Sequence, residues 1–245
     1  MDEQIFQRFA RREAEHWWCI GRRAILRDTV AAEIPKPDGR PLRILDAGCG
    51  TGGNLPVLAE FGDVDGFEFN DGAAALASER LGKPVPFGAL PDGIPDYPDP
   101  FDLIVLLDVL EHIEDDRATL RNLAAKLAPD GRLLVTVPAF QFLWSRHDEL
   151  HHHFRRYTKA TLSAVAQDAG LTVEKKFYFN STLFPAAVAQ RMAMRLKQSD
   201  APDADVPRPV INETFKRIFL AERHIVRHVP MPVGLSLGAV LTLKD

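Results

Sequence analysis

The stretch "LRILDAGCGTGGNLPVLAEFG", Leu42 to Gly62, constrains the fold more than any other part of the chain. "LRILDAG" is an apolar run of the length of a buried strand. It leads into Gly48, Gly50, Gly52 and Gly53, after which "GNLPVLAEF" has the spacing of a helix. A strand, a glycine bend and a helix in that order make a ligand site. Unbonded N–H groups at the helix start face the bend, and glycines let a ligand approach the main chain.

The rest of the chain repeats the alternation. "DVDGFEF" reads as a second strand and "DGAAALASERLG" as a helix ending on Gly82. "FDLIVLLDVL" is a strongly apolar strand, "DDRATLRNLAAKLAP" a helix and "GRLLVTVPA" another strand. Strands alternating with helices predict a doubly wound α/β fold with a parallel sheet. "FQFLWSRHDELHHHFRRYT" then reads as a loop with short helices, and "TKATLSAVAQDAG" as a helix with a threonine cap and a terminal glycine. "LTVEKKFYF" alternates like a half-buried strand, and "LSLGAVLTLKD" makes a last one. Between them lies a helical insertion, interrupted by the polar "QSDAPDADVPRP", which is expected to be mobile. A helical extension over residues 1–33 is closed by "IPKPDGRP".

A length of 245 residues suits one large domain with additions. Its expected parts are N-terminal capping helices at 1–40, a cofactor-binding core at 41–180, a helical lid at 181–234 and a final strand at 235–245. A formal net charge of −4 excludes the basic footprint of a nucleic-acid binder. Two distant cysteines, Cys19 and Cys49, give no disulfide framework, so a reducing, cytoplasmic setting is expected. The charged "MDEQIFQRFARREAEHWW" lacks the apolar core of a signal peptide. The longest apolar stretch, "VPMPVGLSLGAVLTL", is short for a bilayer span and broken by prolines and glycines, which leaves peripheral membrane contact open.

Two cofactor classes use a glycine loop of this kind. Gly48, Gly50 and Gly53 have dinucleotide spacing, with Glu68 as the acid about 20 residues on. Asp46 shifts the balance, because "LDAGCGTG" closely resembles the first motif of the class I S-adenosylmethionine-dependent methyltransferases. The resemblance implies that the loop from Asp46 through Gly48 and Gly50 faces the methionine part of the cofactor, and that Glu68 bonds the ribose hydroxyls. Asn54 and Phe69, which follow the loop and the acid, join the cofactor-binding set. "FGALPDGIPDYPDPFDLIVLLDVLEHIEDD" resembles the next family stretch, which places Ala89 and Leu90 beside the adenine and Asp108 and Val109 at the strand end facing the ligand. "LAPDGRLLVTVP" matches the family's next helix, turn and strand. As a fold, the resemblance spans roughly residues 41–180. It implies a Rossmann-like, mostly parallel, seven-stranded sheet with an antiparallel last strand.

"EAEHWWCIGRRAIL" resembles the N-terminal helix of bacterial methyltransferases that often read H-x-W-x-x-G-R. In those enzymes the helix closes over the cofactor. That implies Trp18 packing near it and Arg22 pairing with its carboxylate. The competing reading is a helix docked by two tryptophans, with its arginines in solvent.

Methyl transfer needs a nucleophile aligned with the sulfonium methyl, and often a base. The candidate bases are His147 and His151, four apart and on one face if helical, together with His112. Trp144, Arg155, Arg156 and Tyr157 add aromatic and anion-binding capacity for an acceptor. A His-rich surface helix without a role is the bland alternative. Asp108, Glu111 and His112 have helical spacing that resembles the E-x-x-E-H set which, with a further His downstream, serves some metal-dependent methyltransferases, with Asp here in place of the first Glu. Metal-free relatives also carry E-H here, so no metal is expected.

For the insertion, "STLFPAAVAQRMAMRLK" and "NETFKRIFLAERHIVRHV", a lid, a homodimer surface and a lipid-touching edge all remain open. The reading is an S-adenosylmethionine-dependent O-methyltransferase acting on a small-molecule, glycan or lipid-linked acceptor. N-methylation, a catalytically silent cofactor-binding subunit and a dinucleotide oxidoreductase stay as alternatives.

Overall fold

The apolar runs become strands: β1 (Leu42–Ala47), β2 (Gly62–Phe67), β3 (Phe101–Leu107), β4 (Leu127–Pro138), β5 (Leu171–Phe179) and β6 (Ser236–Leu243). They form one sheet in the order β2-β1-β3-β4-β6-β5 in a computed structural model that describes residues 13–196, 207–226 and 228–244. Residues 1–12 of the expected N-terminal extension, and most of the polar segment expected to be mobile, lie outside the described residues. β1 pairs in parallel with β2 and β3, and β3 with β4, while β6 runs antiparallel between β4 and β5. All strands except β6 therefore end on one edge. The chain crosses from one side of the sheet to the other between β1 and β3, so the edge there is the place where such sheets bind ligands.

The sheet has six strands among the described residues, against seven expected. At the β2 side the missing strand survives as a single parallel bridge between Glu68 and Phe87. Pro84 and Pro86 supply no N–H, so a continuous ladder cannot form over that segment. The bridge still holds main chain beside Glu68, whose N–H reaches Pro86 O at 3.2 Å while Gly88 N–H reaches Glu68 O at 3.1 Å.

Helices cover both faces: α1 (Trp17–Glu33), α2 (Leu55–Leu58), α3 (Asp71–Leu81), α4 (Asp116–Ala124), α5 (Arg146–Leu150), α6 (Lys159–Asp168), α7 (Phe184–Leu196) and α8 (Pro209–Val226). Two of their ends, at Gly82 and Thr158, follow the signals read from the sequence. Asn70 caps α3 with its side chain, Gly82 closes it in the left-handed conformation, and Thr158 caps α6. One apolar core lies on each sheet face.

A third cluster joins the N-terminal helix to the insertion. Trp17 meets Phe215 and Phe219 edge-on at 5.5 and 5.8 Å, and Phe219 stacks on Phe179. Arg223 forks onto Asp28 at 2.7 and 2.8 Å, and Asn212 accepts from Trp17 N–H at 2.9 Å. α1 and α8 thus pack as one unit against β5. None of the described helices is long and apolar enough to cross a membrane.

Candidate active site

The glycine loop leaves β1 with Gly48, Gly50 and Gly52 at positive φ. Gly48 and Cys49 donate to Phe67 O at 3.0 and 3.1 Å, which ties the loop to the end of β2. A Cβ on Gly48 would lie 3.2 Å from both methyls of Val109, so this glycine lets the loop sit against the segment that follows β3. Gly50 differs: its φ is +57° and nothing lies within 4 Å of a Cβ built there. Conformation accounts for this glycine, and the space above its main chain is open to a ligand.

Glu68 is buried at the end of β2, where Oε2 accepts from Gly50 N at 2.9 Å and Oε1 from Asn70 N at 3.0 Å. Each oxygen keeps a lone pair, so the carboxylate can still accept two hydroxyls. Phe69, next to it, is exposed, and Ala89 and Leu90 are half-buried just beyond the Glu68–Phe87 bridge. Asn54 precedes α2 without bonding its helix through the side chain.

Asp46 is 1% exposed, and its Oδ2 has no hydrogen-bond partner among the described residues. Burial pushes its pKa up to about 7 against the opposing pull of Arg22, with the charges of Glu68 and Glu13 adding to the rise. Arg22 comes from α1. Its Nη2 donates to Leu107 O at 2.9 Å, its Nε lies 2.7 Å from Asp108 Oδ2, and its guanidinium stands 5.1 Å from the Trp18 ring centroid. That Nε makes no aligned hydrogen bond despite the short ion pair, because its N–H is not directed at the carboxylate. Asp108 takes a positive φ of 55° and accepts from Thr136 Oγ1 at 3.0 Å. The sequence reading missed Glu13, which accepts from Thr51 Oγ1 at 2.5 Å, pairs with Arg80 at 2.7 Å and brings the N-terminal segment onto the glycine loop.

The histidine-rich stretch lies beyond β4, next along the same edge. It is joined to the short 3₁₀ turn Leu110–His112 by Phe154 N–H donating to Glu111 O at 2.7 Å. His147 and His151 come together as expected, with ring centroids 4.3 Å apart, and Trp144 is half-buried nearby in the chain. His112 and His153 meet edge-to-face at 4.5 Å. Burial, reinforced by the neighbouring His153, lowers the His112 pKa to about 4.

The "RRY" side chains are engaged by carboxylates of the protein itself. Arg156 forks onto Asp148 at 2.7 and 3.0 Å, and Asp148 also accepts from Ser145 N and lies 2.9 Å from His153 Nδ1. Burial alone would raise the Asp148 pKa, but the bonds from His153 and Arg156 hold it well below the ordinary range. Arg155 pairs with Asp116 at 2.7 Å, and Tyr157, fully buried, donates to the same carboxylate at 3.0 Å. Burial pushes the Tyr157 phenol pKa up, and the Asp116 charge adds to it. Asp148 and His153 carried no sequence signal that set them apart from their neighbours. Cys49 is buried in the loop, and burial raises its thiol pKa well out of the reactive range.

Chemically, the edge offers an uncompensated carboxylate, a half-used carboxylate and an open stretch of main chain. That donor set fits a ligand carrying a cationic amine and a diol. A family model described as a methyltransferase domain matches residues 10–176. The ubiquinone biosynthesis O-methyltransferase of Maricaulis maris is 28% identical over 155 residues, 55% of this chain and 61% of that protein. An uncharacterized protein of Synechococcus sp. is 38% identical over 110 residues, 41% of this chain and 26% of its own. The chain thus spans from a quarter to about three-fifths of these relatives. A TehB-like S-adenosylmethionine-dependent methyltransferase from Corynebacterium glutamicum has a similar fold, with a TM-score of 0.51 and 21% identity over 89% of this chain and 86% of that one.

Proposed function

Because the chain belongs to the class I S-adenosylmethionine-dependent methyltransferases, we propose that it transfers the cofactor's methyl group to an oxygen of a small-molecule, glycan or lipid-linked acceptor. When bound, the cofactor supplies an electrophilic methyl on a sulfonium. Glu68 accepts the ribose hydroxyls with its two remaining lone pairs. Phe69, Ala89 and Leu90 line the adenine, and the open main chain at Gly50 takes the ligand past the loop. Asp46 pairs with the amine and Arg22, steadied by Trp18, with the carboxylate of the methionine end, while Gly48, Val109 and Asp108 shape the floor. The orphaned Oδ2 of Asp46 carries this reading, because a buried carboxylate oxygen without a partner is rare and marks a place a ligand fills.

On the acceptor side, His147 and His151 receive the hydroxyl proton as the methyl moves, and Trp144 borders the acceptor. Transfer would release S-adenosylhomocysteine as the second product. Arg155, Arg156 and Tyr157 serve as positioning residues that hold this loop in shape through Asp116 and Asp148. Oxygen as the acceptor atom is supported by these bases and by the likeness to the O-methyltransferase of Maricaulis maris. The α1–α8 unit caps the cofactor and closes the acceptor side.

Calorimetric titration with S-adenosylmethionine and with NAD tests the cofactor. S-adenosylhomocysteine release against a panel of phenols, hydroxy acids and amines tests the chemistry. Binding of NAD alone, or release only with amines, would overturn the respective halves.

A further inference from the structure

Six of the eleven exposed large apolar side chains among the described residues lie in the insertion: Met192, Val210, Ile211, Ile218, Ile225 and Val229. Ile211, Ile218 and Ile225 recur every seven residues on α8, which sets them along one side of that helix over about four turns. Thr214 and Ala221, exposed as well, fill the strip between them. This is not the side that α8 turns inward, where Phe219 meets Trp17 and Phe179 and Arg223 forks onto Asp28. α8 therefore carries apolar residues toward the core and again toward solvent. α7, before it in the chain, buries none of its described side chains although it is built mostly of apolar residues. Single exposed apolar residues are ordinary, but an ordered strip marks a surface that something covers.

Charge decides between a second copy of the chain and a lipid surface. Residues 181–234 carry eight Lys and Arg against five Asp and Glu, a net of +3 in a chain whose total is −4, so the remainder stands at −7. From Ser181 to Ser199 there are Arg191, Arg195 and Lys197 and no acid. The acids of the connecting segment, Asp200, Asp203 and Asp205, lie outside the described residues. On α8, exposed Arg217 and His224 directly precede Ile218 and Ile225 and so share one flank of the strip. The acid near that flank, Glu213, is already engaged by Lys216 and Arg217. A second copy packed antiparallel through the strip would set Arg217 and His224 against their own kind. A parallel pair would need the other flank, where Glu222 is buried against Ser181 and Thr182. Anionic headgroups answer the basic flank, and the acyl region takes the isoleucines.

We propose that the outward side of α8, supported by the basic charge of α7, docks on an anionic phospholipid surface. The helix then lies on the membrane as a basic amphipathic helix does, and does not span it. Of the three roles open for the insertion, the outward side takes the lipid, while the inward side remains packed on α1. Docking would bring the enzyme to a lipid-linked acceptor. That consequence rests on the proposed methyl transfer, whereas the docking does not.

The test therefore uses neither cofactor nor acceptor. The full chain is sedimented with vesicles of phosphatidylcholine alone and of a two-to-one mixture of phosphatidylcholine and phosphatidylglycerol, at low and high salt, and its mass in solution is measured by light scattering. Binding about 10-fold tighter or more to the anionic vesicles is expected, with most of the difference lost at high salt. Arg217→Glu should weaken that binding about 5-fold or more. Ile218→Ser combined with Ile225→Ser should weaken it about 10-fold or more. Arg121→Glu, the same charge reversal on α4, should leave it unchanged. Should the double variant not fold by circular dichroism, Arg217→Glu decides. No binding, equal binding to both kinds of vesicle, or binding untouched by Arg217→Glu would overturn the docking. So would a dimer in solution that the double variant dissolves, which assigns the strip to a second copy. Each of these results leaves the methyl-transfer reading standing.

Discussion

Asp46→Asn should make the cofactor-free protein more stable and the cofactor bind more weakly. The wild-type carboxyl has a pKa of about 7 in the folded chain against an ordinary 3.8, a rise caused first by burial. Each unit corresponds to about 1.4 kcal/mol, so roughly three units amount to about 4 kcal/mol. The folded state holds the proton more tightly than the unfolded chain does. Its contribution is therefore complete below about pH 4, fades as pH rises through 7, and is gone by pH 8. Asparagine has no charge to desolvate and escapes this loss. Its amide still lacks a partner, which trims the gain to about 1–4 kcal/mol at pH 8. Near pH 5, where the wild-type carboxyl is largely protonated, the advantage should be much smaller. Loss of a charged partner for the methionine amine should cost about 1.5–3 kcal/mol of cofactor affinity, roughly 10- to 150-fold in Kd. Urea unfolding at pH 5 and 8 without cofactor, with calorimetry at pH 8, reads both effects. A variant less stable than wild type at pH 8, by a margin independent of pH, would refute the reasoning and show that Arg22 already satisfies the ionised carboxylate.

Glu68→Ala should weaken cofactor binding by about 1–3 kcal/mol, with Glu68→Gln in between; unchanged affinity in a folded variant would remove Glu68 from the ribose site. His147→Ala and His151→Ala should lower turnover by about 10²–10⁴ with cofactor affinity almost intact, and normal kinetics in both would return the pair to a surface role. Arg156→Ala should destabilise the fold by about 3–5 kcal/mol, because it strands the buried Asp148, and a rise in KM without loss of stability would restore Arg156 to the acceptor.

What was legible in the sequence was local. Apolar runs gave β1, β3 and β4, and Gly82 and Thr158 marked helix ends, because each signal depends on a few adjacent residues. The glycine loop was legible for the same reason. Partnerships over distance were not. "RRY" reads as an anion grip until Asp148 and Asp116 arrive from elsewhere to take up both guanidiniums and the phenol. The strand around Phe87 looked available in the fold implied by resemblance, yet two prolines reduce it to one bridge. The spacing of Asp108, Glu111 and His112 implied one helical face, but a positive φ at Asp108 turns its side chain toward Arg22 and Thr136 instead. Pairing α1 with α8 needed Trp17 and Phe219 to meet across most of the chain, which no window on the sequence contains.

The buried acids separate structure from function more sharply than depth or charge does. Asp148, Asp116 and Glu222 are as deeply buried as any, and each is fully answered: by Arg156 and His153, by Arg155 and Tyr157, and by the N–H groups of Ser181 and Thr182. Asp46 and Glu111 are buried equally well and keep an oxygen with no partner among the described residues. Both stand on the edge where the parallel strands end, beside Arg22, whose Nε also lacks an aligned acceptor. A fold selected only for stability would neutralise such groups, as this one does elsewhere. Their concentration at the one edge where the sheet opens to ligands follows if the missing partners are brought in from solution. Asp46 then faces the cofactor, and the failure of that assignment would show in its own titration.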